Sequence, residues 1–307
     1  MKSAAAPASA PTAQGAGTLT GLVAVALWSA SVGLIRSVSE LLGPTGGAAA
    51  TFTVGGVLAT LVLGWPRPSS FNRIYLFAGG GLFIVYEIFL ALSLGLAANR
   101  AQALELGMIN YMWPCLTIVA AVAWGQQRGS LLLVPGVALS LLGLVWILKG
   151  DGDWSPAALL ANAGGNPLAY GLAAGAALLW ALYSVLTRRY GGGRRGIPLI
   201  LLGTALLLWL LYAWSPEPAL RFTPAAALQV CGLGACMALA YSCWNHGIQK
   251  GNLTLLAVAS YFTPVLSVLL ASAWLGVAPS SAFWTGVALV TAGSLVCWYA
   301  TRARSLR

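Results

Sequence analysis

Ten stretches of this 307-residue chain are apolar and long enough to cross a bilayer, and the last five read as a second copy of the first five. Because five is odd, the second copy must enter the membrane upside down, an arrangement on which many secondary transporters are built. Spans are expected near residues 18–37, 46–63, 74–97, 103–124, 131–149, 168–187, 196–214, 225–248, 253–275 and 281–300. With 59% apolar and 7% charged residues, the chain lacks the polar surface a water-soluble fold needs, so its solvent is lipid. The expected fold is an all-α membrane protein in which ten transmembrane helices form two inverted five-helix repeats around a central cavity.

The copies are visible residue by residue. Asn110-Tyr111-Met112-Trp113-Pro114 in span 4 recurs as Ser260-Tyr261-Phe262-Thr263-Pro264 in span 9, with Trp124 and Trp274 closing each, all at an offset of 150. At the same offset Gly136–Leu139 recurs as Gly286–Leu289 and Gly143 as Gly293, while Trp28 falls on Trp180 and Tyr86 on Tyr241 at slightly larger offsets. A Tyr-x-x-Pro string followed by Trp at a fixed distance is harder to obtain by chance than scattered Leu and Ala matches. The expected organisation is a disordered cytoplasmic N-terminus (1–17), a first repeat (18–149), a periplasmic linker (150–167), a second repeat (168–300) and a cytoplasmic C-terminus (301–307). The apolar run comes after the Ala- and Pro-rich start, so no cleaved signal peptide is expected.

Orientation follows from the cations. With the N-terminus in the cytoplasm, inside segments carry twelve Lys and Arg and outside segments only Arg36, Arg100, Lys149 and Arg221. Glu40, Asp151, Asp153 and Glu217 fall outside. The net charge of +10 thus reports topology, and no nucleic-acid partner is expected, since no soluble basic face exists.

Ten spans in two five-span copies, a proline midway along spans 4 and 9, and the string Ile109–Pro114 resemble the drug/metabolite transporter superfamily with paired EamA-type units. Within it the string around Tyr111 and Trp113 resembles the YddG-type aromatic amino acid exporters. The resemblance covers nearly the whole chain. It implies export of small metabolites across the bacterial inner membrane by alternating access without ATP, and weakly implies amino acids as the cargo.

Depth identifies candidate site residues. Trp and Tyr normally collect at the two membrane interfaces, yet Trp28, Tyr86, Tyr111, Trp113, Trp180 and Tyr261 lie near the middle of their spans. A buried indole N–H, phenol or carboxyl needs a polar partner or a wet cavity, which lipid does not supply. These rings should therefore face a shared chamber suited to a flat amphipathic solute. The alternative is that each ring fills a gap between helices. Asn110 shares the Trp113 face of span 4, and Tyr183 follows Trp180 on span 6.

Glu87 is the costliest residue, because a carboxylate at mid-bilayer costs about 2.5–3.5 kcal/mol on insertion scales. It could accept a substrate ammonium, carry a proton exchanged for substrate, or stand neutral and bonded to a neighbouring helix; protons are accordingly a candidate coupling ion. Span 8 adds Tyr241, Asn245 and His246, the last the only histidine and so poorly placed for a metal site. Arg188 is expected to anchor the membrane interface. Pro114 and Pro264 are expected hinges, since each removes a mid-helix bond, and Gly17, Gly21, Gly171 and Gly175 should allow close helix approach.

No cofactor, metal or ATP drive is expected. The three lysines form no phosphate loop, and the five cysteines include no Cys-x-x-Cys. The function expected is secondary export of aromatic and other neutral amino acids by a monomer, with lipid as the other partner. Proton-coupled efflux of hydrophobic drugs is the alternative within transport, and an intramembrane lipid-modifying enzyme the alternative outside it.

Overall fold

The computed structural model describes residues 13–149, 155–275 and 279–302, which are all helical or connecting, with no strand among them. The helices are α1 (Ala13–Leu42), α2 (Pro44–Leu63), α3 (Gly80–Gly95, preceded by a π-helical segment Ile74–Gly79), α4 (Arg100–Asn110), α5 (Trp113–Ala123), α6 (Leu133–Lys149), α7 (Pro156–Gly165), α8 (Pro167–Tyr190), α9 (Ile197–Trp214), α10 (Pro224–Lys250), α11 (Leu253–Ala259), α12 (Phe262–Leu275) and α13 (Ser281–Arg302). Among the described residues, seven continuous segments are long and apolar enough to cross a bilayer, α4–α5 and α11–α12 each counting as one. The first span adds an eighth, bent by 44° between Ser31 and Gly33. The fifth and tenth expected spans correspond to shorter apolar helices, Leu133–Ile147 and Ser281–Cys297.

Two boundaries differ from expectation. Helix α1 begins at Ala13, inside the stretch expected to be disordered, because Thr18 Oγ1 bonds Gln14 O at 2.9 Å and Gly17 packs against the backbone of Lys250 and Gly251. The expected linker contains α7, tied down by bonds described below. Residues 1–12, 150–154, 276–278 and 303–307, where the rest of the expected tails and linker fall, lie outside the described residues.

Prolines explain the two broken spans. Pro114 has no N–H to give the carbonyl of Asn110 four residues earlier, so α4 stops at Asn110, the chain turns over Tyr111–Met112, and α5 restarts at Trp113. Pro264 does the same to Ser260, and α11 and α12 part at Ser260–Tyr261. The bend in α1 has a different cause: Ser29 and Ser31 donate back to Val25 O (2.7 Å) and Trp28 O (2.9 Å), which competes with the helical ladder just before Gly33.

The main helix pairs are α1 with α10, α3 with α8, α2 with α9, and α6 with α13. Between α6 and α13 the backbones touch at glycines: a Cβ on Gly136 would fall 3.1 Å from Gly293 O, and one on Gly143 would fall 2.7 Å from Gly286 O. A Cβ on Gly286 would in turn meet Gly143 O at 2.8 Å, so the contact repeats itself with partners exchanged. Gly21 likewise lies against Gly247 and Leu256, whereas Gly171 faces open space and assists no close approach.

Candidate functional site

A cavity of about 390 Å³ opens at the level of the α4–α5 break. Its lining runs from Trp28, Tyr86 and Trp180 out to Ile35, Ser39, Pro44 and Leu94, which stand where α1 and α3 end and α2 begins. One end of the hollow is therefore floored by rings, and the other reaches the end of α1, which carries Glu40, and the start of α2, where Thr45 N donates to Glu217 Oε1 from the α9–α10 connection.

The floor is an aromatic cluster. Trp180 is at its centre, 4.6 Å from Tyr86, 5.8 Å from Trp28 and 5.9 Å from Trp113 between ring centroids. Trp28 meets Tyr241 edge-on at 5.6 Å, and Trp113 meets Trp244 at 5.4 Å and 88°. Edge-to-face geometry of this kind adds about 0.5–1.5 kcal/mol per pair beyond area burial and fixes each ring's tilt. A stiff floor results.

Polar atoms are few. Tyr241 Oη donates to Glu87 Oε1 at 2.5 Å, and the Glu87 carboxylate, 8% exposed, faces the cavity from α3. The carboxylate is thus bonded to a neighbouring helix and open to a solute at once. Asn110 Oδ1 and Trp180 Nε1 are buried without a hydrogen-bond partner, an acceptor and a donor in residues that line the same hollow. Buried polar atoms without a partner cost free energy.

Below the floor lies a polar layer. Asn245 Nδ2 donates to Tyr75 Oη (3.1 Å) and Tyr183 Oη (3.0 Å), and Asn245 Oδ1 accepts from Gln249 Nε2 at 2.6 Å. Gln249 Oε1 accepts from Gly193 N at 2.7 Å, which ties α10 to the α8–α9 turn. Arg188, expected as an interface anchor, instead donates to Ile248 O and Gly251 O and caps the end of α10. Beneath this layer is a second hollow of about 190 Å³.

The structure brings together eight of the expected residues around the large cavity: Trp28, Tyr86, Glu87, Asn110, Tyr111, Trp113, Trp180 and Tyr241. It separates four others. Tyr183 and Asn245 belong to the polar layer, and His246 is exposed in the lower hollow. Tyr261 is fully buried in a cluster with Leu144, Val265 and Val290, against which the cavity-lining Tyr111 packs. Glu105, the other buried carboxylate in the described spans, is held by Asn162 Nδ2 of α7 (3.0 and 3.2 Å) and by Tyr170 Oη.

Four residues were not expected. Phe83 sits 4.9 Å from Tyr241 and 5.3 Å from Tyr183, Phe52 stacks on Tyr241 at 6.2 Å, Trp244 completes the floor, and Tyr75 bonds Asn245. Phe83 and Trp244 stand one helical turn from Tyr86 and Tyr241, a spacing that could have flagged them. A phenylalanine carries no polar tip, so nothing about its depth is anomalous.

Residues 167–299 match the EamA-like transporter family. Over its length the chain is 46% identical to the aromatic amino acid exporter YddG of Salmonella typhimurium, covering 94% of this chain and 98% of that one. It is 45% identical to the exporter of the same name from Escherichia coli, and 30% identical to that of Ancylobacter novellus, covering 91% of this chain and 96% of the latter. A solved crystal structure superposes with a TM-score of 0.78 at 28% identity, over 94% of this chain and 99% of the other.

Proposed function

The chain belongs to the EamA-like transporter family, and from that premise we propose that it is a secondary exporter of aromatic and other neutral amino acids across the bacterial inner membrane. The observation that carries this reading is the ring-floored cavity lined by Glu87, Asn110 and Trp180, with Asn110 Oδ1 and Trp180 Nε1 buried and without a hydrogen-bond partner. A zwitterion offers a donor to the first two and an acceptor to the third, while its side chain stacks on the rings. At about 390 Å³ the hollow is of the size that small-molecule sites occupy.

Transport proceeds by alternating access. In this structure the hollow leads toward the Glu40 and Glu217 end and is closed below by the floor and the Asn245 layer; with cations concentrated at the closed end, that end is cytoplasmic and both termini lie inside. Export requires the layer to part so that solute enters from the cytoplasm. The breaks before Pro114 and Pro264 and the bend in α1 are the hinges, and the partner-exchanged contact of α6 with α13 supports two inverted halves that rock against each other. Glu87 either receives the substrate ammonium or carries the proton that leaves when substrate binds.

Counterflow of single amino acids in proteoliposomes, with and without a pH gradient, tests the proposal. Exchange of phenylalanine, tyrosine and tryptophan is expected, with smaller neutral amino acids following. Flux of hydrophobic cations without amino acid exchange would replace this reading with drug efflux.

A further inference from the structure

The lower hollow is lined by Arg194, Arg195 and Lys250 and by no acidic side chain. It lies among α1, α2, α9 and α10, which contribute Thr20, Leu63, Ile197 and the Ser242–Lys250 turns. Arg194 and Arg195 come from the α8–α9 turn and Lys250 from the end of α10, and these three exposed cations line one recess. A Cβ on Gly193, whose φ is +72°, would fall 3.2 Å from Lys250 Nζ, so the ammonium lies over the glycine turn at the mouth of the recess. Asn245, 3% exposed, forms its roof while bonding Tyr75 and Tyr183.

Charge balance makes the recess specific. The chain has six acids: Glu87 is in the upper cavity, Glu40, Glu105 and Glu217 belong to the opposite end, and Asp151 and Asp153 fall between α6 and α7, outside the described residues. Arg194, Arg195 and Lys250 are exposed, and among the described residues none of them has a carboxylate partner, which leaves all three free to meet an incoming carboxylate. We infer that this recess is a capture site for the carboxylate of an amino acid arriving from the cytoplasm, one side-chain layer below the transport cavity. The inference rests on the export reading above. Charge-assisted hydrogen bonds from the three cations hold the carboxylate end of the net-neutral zwitterion, with its ammonium turned away from them, and Asn245 is the group that must swing aside for the captured solute to rise.

The test is zero-trans phenylalanine flux from the cytoplasmic face, in proteoliposomes of phosphatidylcholine, for the wild type and for the triple variant R194Q/R195Q/K250Q. At low salt the triple variant is expected to show a KM raised roughly tenfold with Vmax within about twofold. Raising salt from about 20 to 300 mM should raise the wild-type KM and leave the variant's unchanged, since only the former depends on unscreened charge. The charge-conserving variant R194K/R195K/K250R should restore the wild-type KM, which separates charge from folding. An unchanged KM, a fall in Vmax alone, or a KM effect present only when anionic lipid is added would each overturn the inference, the last by assigning the recess to a headgroup. Absence of phenylalanine flux in the wild type would instead sink the export reading itself.

Discussion

Glu87 and Glu105 are both buried carboxylates on apolar helices, 8% and 6% exposed, yet their surroundings differ in kind. Asn162 and Tyr170 hold Glu105 from α7 and α8, so its lone pairs are spent on protein donors and it joins three elements together. Glu87 receives one protein donor, Tyr241, and turns its remaining capacity toward a cavity. On the proposed reading, Glu105 is structural and Glu87 meets the solute.

The difference is open to mutation. Glu87→Gln should lower transport roughly ten- to a hundredfold, the worth of one hydrogen bond to a charged group, while leaving melting unchanged or raised. Flux per folded molecule in proteoliposomes, alongside a melting curve, measures both; intact flux would place Glu87 with Glu105. Next in size, Glu105→Ala should cost about 1–3 kcal/mol of stability by stranding the Asn162 and Tyr170 donors, with flux per folded molecule retained. Loss of flux at unchanged melting would erase the contrast.

Tyr241→Phe keeps the ring in the floor and removes only the donor, so transport should fall about threefold to tenfold. A larger loss than that of Glu87→Gln would mean that the tyrosine, not the acid, meets the solute. The smallest effect belongs to Tyr170→Phe, expected to lower stability by about 0.5–1.5 kcal/mol without touching the KM for phenylalanine. A changed KM would connect the outer network to the cavity.

Much of this was legible in the sequence for a definable reason. Depth along an apolar span is a one-dimensional quantity, and it singled out Trp28, Tyr86, Glu87, Trp113 and Trp180, whose polar tips are anomalous at mid-bilayer and which line one cavity. Depth carries no information about azimuth, which is why Tyr261 was expected in the cavity and lies behind it, while Asn245, expected on the face of Tyr241, stands one turn further along α10 and lines the lower hollow with His246. The proline breaks were readable because a missing N–H is a local fact. The α1 bend was not, since serine back-bonding depends on rotamers no pattern specifies. The Asn162 bond that gives α7 its place joins residues 57 apart in sequence, and no periodicity announces it.

The most direct measurement is an experimental structure determined with saturating phenylalanine. Ligand density is expected in the large cavity, with the ammonium against Glu87 and Asn110 and the ring on Trp180 and Trp28. Density at another position, or an empty cavity in protein that demonstrably exchanges phenylalanine, would contradict the assignment of these residues to the transport site.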